Sequence, residues 1–245
     1  MAMMQNWEPE MIRFLLDAID STDYYQKLAA KIAPHLPQEA HVCDAGCGLG
    51  ELSRALLPYC RRVTAIDRAA APLEELQRRI TAQEAEKMEI CCGDIREVPP
   101  VQPYDAMVFC LFGSAEESLK IAAEQCTGTV ILIKRSTGKH AFRPGSAEET
   151  PHTARSAEEL LDQLQIPYEL ECFSLELGQP LRSLDDGVRF YTIYGREEKE
   201  AKEAVHQRIK QGRSQKFPYY LPNHKQLILL AFSVEALRNA WKKEN

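Results

Sequence analysis

A glycine-rich segment between residues 41 and 51 carries the strongest chemical signal in the sequence. A short apolar stretch ends at the carboxylate of Asp44. Gly46, Gly48 and Gly50 follow, and a helical pattern begins at Glu51. Glycines at this spacing allow a tight turn and the close approach of a ligand to the backbone. The order of strand, glycine-rich turn and helix therefore predicts a nucleotide-type site.

The acidic residues beside this turn indicate which kind of ligand it binds. A pyrophosphate binds at a helix N-terminus, through backbone N–H groups and the helix dipole. The carboxylates of Asp44 and Glu51 would repel that anion, and they suit a ligand with an ammonium and a sulfonium group. Only Leu49 separates Gly48 from Gly50, whereas the dinucleotide turn has two residues there. A nicotinamide-dependent oxidoreductase stays open as an alternative.

Two further carboxylates follow the next two predicted strands. Asp67 closes the strand 62–67, where an acidic residue can accept hydrogen bonds from both ribose hydroxyls of a nucleoside. Asp94 follows the strand 87–92 and can accept from an adenine amine, while the backbone N–H of Ile95 can meet a ring nitrogen. Each aspartate alone could be a simple helix cap. Their occurrence in order, each at a strand end, favours a cofactor site.

The segments Asp44 to Gly50 and Gly93 to Ile95, together with Asp67, resemble the successive cofactor motifs of the class I S-adenosylmethionine-dependent methyltransferases. The resemblance extends over roughly residues 20–245. It implies a Rossmann-like enzyme that moves a methyl group from S-adenosyl-L-methionine to an acceptor by direct displacement. A non-catalytic protein that binds this cofactor is an alternative, because a fold and a cofactor site do not establish activity. The predicted cofactor-binding residues are Asp44, Gly46, Cys47, Gly48, Gly50, Asp67, Arg68, Asp94, Ile95, Phe109 and Tyr24.

Tyr24 is included because the helix before the first strand closes over the methionine end of the cofactor in similar enzymes. Tyr25 fits an apolar stripe with Leu28 and Ile32, so we expect Tyr24 to face the ligand. The hydroxyl that faces the ligand could bond the carboxylate of the cofactor.

Phe109 begins the segment 109–114, which should lie close to the transferred methyl group. This segment lacks the Asn/Asp-Pro-Pro-Tyr/Phe signature of the amino-methylating nucleic-acid enzymes, which weakens methylation of nucleic-acid bases as a function. Direct displacement needs a general base only if the acceptor arrives protonated. His140 and His152 are the nearest candidate bases by position, and we assign no catalytic residue.

The amino-acid composition limits the kinds of molecule that this protein can bind. The chain has 245 residues, a net charge of −6 and 44% hydrophobic residues. An acidic chain argues against nucleic acid, so we expect a small-molecule acceptor, with a homodimer possible.

The sequence has no apolar run of about 20 residues and no signal-peptide pattern at its start, which predicts a cytoplasmic protein without membrane contact. The cysteines lack metal-ligand spacing, so no metal site is expected, and those at 43, 91, 92 and 110 should be buried thiols.

Alternation of strands and helices predicts an α/β fold with a doubly wound, seven-stranded, mostly parallel sheet and helices on both faces. We expect a single domain over 1–245, with N-terminal helices in 1–38. Capping boxes predict helix starts at Ser114 and Ser156. Further predicted helices cover 71–83, 188–194 and 197–211, and the last strand covers 226–232.

A helical insertion over 178–222 separates the last two predicted strands. Ligands bind beyond the carboxyl ends of strands in open α/β sheets, so this insertion could form a lid or a pocket wall. Its candidate contacts are Arg182, Tyr191, Tyr219 and Tyr220. The alternative is that the insertion only packs on the sheet or forms a dimer surface.

Overall fold

The computed structural model describes residues 7–145 and 152–244. Within these ranges the strands and helices alternate as the sequence predicts. The strands are β1 His41–Ala45, β2 Arg62–Asp67, β3 Met88–Cys92, β4 Tyr104–Cys110, β5 Cys126–Arg135, β6 Glu169–Glu176, β7 Gln179–Leu181, β8 Lys210–Gln211, β9 Tyr219–Leu221 and β10 His224–Ser233. The helices are α1 Pro9–Asp20, α2 Tyr24–Ile32, α3 Glu51–Leu56, α4 Ala70–Arg79, α5 Ala82–Ala85, α6 Ala115–Gln125, α7 Ala154–Gln163, α8 Leu184–Ile193, α9 Glu198–Arg208 and α10 Val234–Glu244.

Seven strands form the main sheet, in the order β3-β2-β1-β4-β5-β10-β6. The pairs from β3 to β5 are parallel, and β10 is antiparallel to both β5 and β6. The strand order reverses between β1 and β4, which is the point where ligands bind in doubly wound sheets. The predicted fold class is therefore confirmed.

Helices cover both faces of this sheet because alternate strand residues point to opposite sides. On one face α2, α3 and α4 pack on residues such as Val42, Val63 and Val108. On the other face α6, α7 and α10 pack on residues such as Met107 and Leu132. The two apolar layers fix the strand ends that carry the predicted site.

The segment 178–222 was predicted to be a helical insertion, but it is not purely helical. It contains α8 and α9, and it also contains the strands β7, β9 and β8, which form a separate antiparallel sheet. A third apolar cluster joins this segment to Phe14 of α1, where Phe14 and Phe190 pack edge to face. Arg182 also pairs with Asp17 of α1 at 2.7 Å. The insertion and α1 therefore form one layer.

Several local predictions are wrong in detail. The helix predicted over 71–83 breaks at Ile80, and a capping box at Thr81 begins the separate α5. The helix predicted to start at Ser156 starts earlier, with Thr153 at the N-cap position, and the Ser156 hydroxyl instead contacts the hydroxyl of Thr153 at 2.9 Å. Cys92, predicted to be buried, is exposed.

Other local predictions hold. Ser114 caps α6 by accepting a hydrogen bond from the Glu117 N–H at 3.1 Å, and the segment 188–194 is helical up to Ile193. The helix predicted over 197–211 spans Glu198–Arg208, and the last strand is longer than predicted. Over residues 7–145 and 152–244, the helices are too short or too polar to span a bilayer.

Candidate functional site

The glycine-rich turn connects β1 to α3 and is fixed by its own backbone hydrogen bonds. The N–H groups of Gly46 and Cys47 both donate to the carbonyl of Ile66, at 2.8 and 3.0 Å. The N–H of Gly48 donates to Asp67 Oδ2 at 2.8 Å. Gly50 donates to the carbonyl of Cys47 at 2.9 Å, so the turn directs these N–H groups inward. A pyrophosphate would need such groups as donors.

Asp44 lies in β1, one residue before its end, and is 1% exposed. Its carboxylate accepts a hydrogen bond from the Ser53 hydroxyl at 2.6 Å and another from the Ser53 backbone N–H. Burial raises the pKa of Asp44 to about 6, with a further contribution from the charge of Asp67. Asp44 thus places a buried negative charge at the N-terminus of α3, where an anionic ligand would otherwise bind.

Glu51 contributes less charge to the site than the sequence suggests. Its carboxylate pairs with the guanidinium groups of Arg54 on α3 and Arg79 on α4. The negative charge that argues against pyrophosphate therefore belongs mainly to Asp44 and Asp67.

Asp67 ends β2 and links two segments of the site. Its Oδ2 accepts from the Gly48 N–H, and its Oδ1 accepts from the Ala69 N–H at 2.9 Å. The side chain is only half-buried. Each carboxylate oxygen has a second lone pair, so both can still accept from a ligand hydroxyl. This geometry suits a ribose diol held beside the turn.

Asp94 and Ile95 follow β3 on the neighbouring strand end. The Asp94 carboxylate accepts from Arg96, including 2.9 Å to Nε, and these bonds lower the pKa of Asp94 to about 2. The nearby exposed Arg68 contributes to the same lowering. Ile95 is buried, and its carbonyl accepts from Gln125 Nε2 at 2.6 Å. Asp94 therefore stays ionised, and Arg96 shares its carboxylate with any ligand.

Two aromatic rings that sequence reasoning missed lie against the turn. A Cβ at Gly46 would overlap the ring of Phe112, and a Cβ at Gly48 would lie 3.0 Å from the ring of Trp7. Phe109, which was predicted to bind cofactor, has a fully buried side chain that packs 5.5 Å from Phe112, centroid to centroid. The less buried ring of this segment is thus Phe112, and Phe109 packs against it.

Lys134 holds the segment after β4 in place. This lysine is buried on β5, and its ammonium donates to the carbonyls of Phe112 and Gly113, at 2.5 and 2.9 Å. Burial lowers the pKa of Lys134 to about 8. Its two hydrogen bonds fix the backbone that carries the Phe112 ring.

The two tyrosines of α2 are buried in the reverse of the predicted order. Tyr24 is 2% exposed and lies in the core, whereas Tyr25 is half-buried and packs edge to face on it, 4.9 Å between centroids. Burial raises the pKa of Tyr25, and Glu51 and Asp44 are among the charges that raise it. Tyr25 is therefore the tyrosine beside the acids. The Tyr24 hydroxyl is buried and has no hydrogen-bond partner among residues 7–145 and 152–244.

A strongly basic cavity of about 450 Å³ lies beyond the ends of β5 and β10. Sequence reasoning missed it, because its residues come from four separate segments. Its lining includes the basic side chains of Arg135, Lys139, His140, Arg143, Arg196, His224 and Lys225.

Tyr24 and Cys110 lie near basic side chains of the cavity, and Cys110 also lies near Asp44. The Lys225 ammonium lies 5.1 Å from the centre of the Tyr24 ring. Burial raises the pKa of Cys110 to about 12, Asp44 raises it further, and Lys225 and Arg135 oppose the rise. Cys110 at the end of β4 thus lies within the electrostatic reach of both the turn and the cavity.

The predicted insertion contacts do not line this cavity. Tyr191 is fully buried among the apolar side chains between α1 and the insertion, and the Tyr220 hydroxyl donates to Glu176 at 2.9 Å. Arg182 pairs with Asp17 instead. The insertion supplies Arg196 to the cavity wall, and Arg196 Nε donates to the carbonyl of Phe142 at 3.1 Å.

His140, one of the two candidate bases, lies in this cavity. Its ring stacks on Tyr194 with centroids 5.0 Å apart. Its Nδ1 accepts from the Phe142 N–H at 3.3 Å, so the neutral ring carries its proton on Nε2. Burial and three neighbouring cations lower the pKa of His140 to about 3. The ring is therefore a hydrogen-bond donor and a poor base at neutral pH. His152 is exposed.

One known family matches part of the sequence. Residues 42–130, which carry β1 to β4, the glycine turn, Asp67 and Asp94, match the family described as methyltransferase domain. No match was found among curated proteins.

Solved structures match most of the chain. Protein BH2331 of Bacillus halodurans C-125 has 15% identity and a TM-score of 0.56, and the match covers 85% of this chain and 98% of that one. YcgJ of Bacillus subtilis has 15% identity and a TM-score of 0.55, over 86% and 99% of the chains. Precorrin-6y C5,15-methyltransferase of Geobacter metallireducens GS-15 has 13% identity and a TM-score of 0.50, over 84% and 88%. At such identities the likeness shows the fold.

Proposed function

We propose that this chain, which belongs to the S-adenosylmethionine-dependent methyltransferase family, methylates a small-molecule acceptor held beyond the ends of β4 and β5. One observation carries the proposal. The carboxylate of Asp67 is tied to the glycine turn by the Gly48 N–H, and both of its oxygens keep a lone pair for ribose hydroxyls. When bound, S-adenosyl-L-methionine supplies a methyl group that its sulfonium already activates.

The residues around the turn fit that cofactor better than a dinucleotide. Its ribose would lie at Asp67, its adenine near Asp94 and Ile95, and its cationic groups near the buried charge of Asp44. The turn's N–H groups already donate to Ile66 and Asp67, so they offer little to a pyrophosphate. These occupied N–H groups disfavour a nicotinamide dinucleotide as the ligand.

The chain contributes positioning and exclusion of water, because the leaving group is already activated. The Cys110 thiol stays protonated at neutral pH, since burial raises its pKa to about 12, and it is a poor nucleophile. Lys134 fixes the backbone beside Phe112 through its two carbonyl contacts. His140 already accepts a hydrogen bond at Nδ1. None of these three groups is well suited to act as a base at neutral pH, which favours an acceptor whose nucleophile is already unprotonated.

A small acceptor fits the shape and charge of the molecule. The cavity beside the turn is concave and about 450 Å³ in volume, which is a usual size for a metabolite site. The whole chain carries a net charge of −6, so a polynucleotide would meet repulsion outside the cavity.

Methyl transfer from isotope-labelled S-adenosyl-L-methionine tests the proposal. The purified protein is incubated with the small-molecule fraction of a cell extract and, separately, with its RNA, DNA and protein fractions. We expect S-adenosylhomocysteine and a labelled product only with the small-molecule fraction. The Asp67→Asn variant should lose most turnover, and Asp23→Asn, which removes an exposed carboxylate paired with Lys27, should keep it. Cofactor binding without product in every fraction would favour a non-catalytic protein.

A further inference from the structure

The basic cavity concentrates positive charge in an acidic protein. Arg135, Arg143, Arg196 and Lys225 line it together, and each is half-buried. Four cations in about 450 Å³ repel one another in a medium that screens charge poorly. Such an arrangement is costly unless an anion of matching charge occupies the space between them.

Among the described residues that line the cavity, none is acidic. Arg135, Arg143 and Lys225 have no carboxylate within ion-pair distance in residues 7–145 and 152–244. Burial lowers the pKa of Lys225 to about 8, and Arg135 adds to the effect. In the described part of the chain, Arg143, Arg196 and Lys225 lie over aromatic rings, and these contacts leave their positive charges without a neutralising carboxylate.

Neutral groups around the cations also offer hydrogen-bond donors. The ring of Tyr24 lies 5.1 Å from the Lys225 ammonium. Asn223 and Gln226 line the same cavity. Donors of this kind surround an anion in protein sites, since charge-assisted hydrogen bonds are the strong ones.

We propose that the methyl acceptor is a small molecule with at least two clustered anionic groups, phosphate or carboxylate, which this cavity binds through Arg135, Arg143, Arg196 and Lys225. The assignment rests on the proposed function, because it places the acceptor next to Cys110 and the cofactor turn. Planar guanidinium groups bind both phosphate and carboxylate through paired hydrogen bonds, so the shared chemistry is a group of anionic oxygens.

Calorimetric titration with simple probes tests the assignment. Inorganic phosphate and citrate represent the two anion classes, and glycerol is the neutral comparison. The test variant is Arg135→Gln with Lys225→Gln, and the control is Lys120→Gln, which removes an exposed cation paired with Glu116. We expect the wild type to bind at least one anion, the double variant to bind it at least tenfold more weakly, and the control to match the wild type. The stronger of phosphate and citrate then indicates which anionic group the acceptor carries.

S-adenosyl-L-methionine affinity is measured on the same proteins and should be equal in all three. If the wild type binds this cofactor but neither anion, the acceptor assignment fails and the proposed function stands. If the wild type does not bind the cofactor, the proposed function fails, and the acceptor assignment that rests on it fails with it. If anions compete with the cofactor and the double variant loses both, the cavity binds the cofactor's carboxylate, which overturns the assignment.

Two further outcomes are decisive. An oligoribonucleotide that binds more tightly than citrate, with a steep salt dependence, would overturn the small-molecule acceptor in favour of a polynucleotide. If the double variant does not fold, as judged by circular dichroism, Arg196→Gln replaces it, because Arg196 belongs to the insertion and not to the main sheet. Unchanged anion affinity in that variant would also overturn the assignment.

Discussion

Replacing Asp67 by Asn should weaken S-adenosyl-L-methionine binding by about 3 kcal/mol, or roughly a hundredfold in Kd. Asp67 accepts from the Gly48 N–H at 2.8 Å and from the Ala69 N–H at 2.9 Å, one through each oxygen. Asparagine has one amide oxygen, so it keeps one of these bonds and presents an NH₂ group to the other donor. One charge-assisted bond to the ribose is then lost and the second loses its charge.

Calorimetry with S-adenosylhomocysteine and its 2′-deoxyribose analogue separates ribose recognition from damage to the turn. The wild type should prefer the ribose form, and Asp67→Asn should lose most of this preference. The lost backbone contact should lower the free energy of unfolding by only about 1 kcal/mol, measured by urea titration. Asp23→Asn serves as the control, since its carboxylate is exposed and pairs with Lys27. An unchanged ribose preference in Asp67→Asn would refute the reasoning.

Three further predictions concern the same turn. The pKa of Asp44 is about 6, and its ionised form suits a cationic ligand. Cofactor affinity, measured by calorimetry, should therefore be constant above pH 7 and fall about tenfold per pH unit below pH 6. An equally steep fall in the Asp44→Asn variant would contradict this. Gly50→Ala should lower the free energy of unfolding in urea by about 3 kcal/mol, because φ is +70° and the new Cβ would overlap Leu76. Gly195→Ala, where φ is +88° and the space is open, should lower it by only about 1 kcal/mol. Equal losses in the two variants would show that the overlap with Leu76 does not matter. Trp7→Ala should weaken cofactor binding at least severalfold if the ring over the turn also covers the ligand, and an unchanged Kd would exclude that role.

The sheet and the cofactor end could be predicted because their signals are local in the sequence. A glycine turn after a buried strand, and acidic residues at Asp67 and Asp94 after the next two strands, specify both the topology and the place of the site. The hydrophobic pattern of the strands fixes which face each helix covers.

The failures have physical causes as well. Thr153 and Ser156 can both cap a helix, and only the packing of Ala154 and Ala157 in the core decides that the helix starts at the first. Tyr24 and Tyr25 are adjacent on α2, so a rotation of the helix by one position exchanges their environments. Tertiary packing makes such choices, and periodicity cannot.

The basic cavity was out of reach of sequence reasoning for a different reason. Arg135, Arg143, Arg196 and Lys225 come from β5, the following loop, the insertion and β10, and each looks like an ordinary surface cation in the sequence. They converge only because β10 runs antiparallel to β5, with Leu227 paired to Arg135. The insertion then folds back from α1 and brings Arg196 to the same place.

Equilibrium dialysis of the wild type with S-adenosyl-L-methionine and, in parallel, with NAD⁺ and NADH tests the central claim most directly. The inward N–H groups of the turn and the buried charge of Asp44 predict binding of one S-adenosyl-L-methionine per chain, which excess dinucleotide does not displace. Binding of NAD⁺ or NADH in its place, with no uptake of S-adenosyl-L-methionine, would contradict the account.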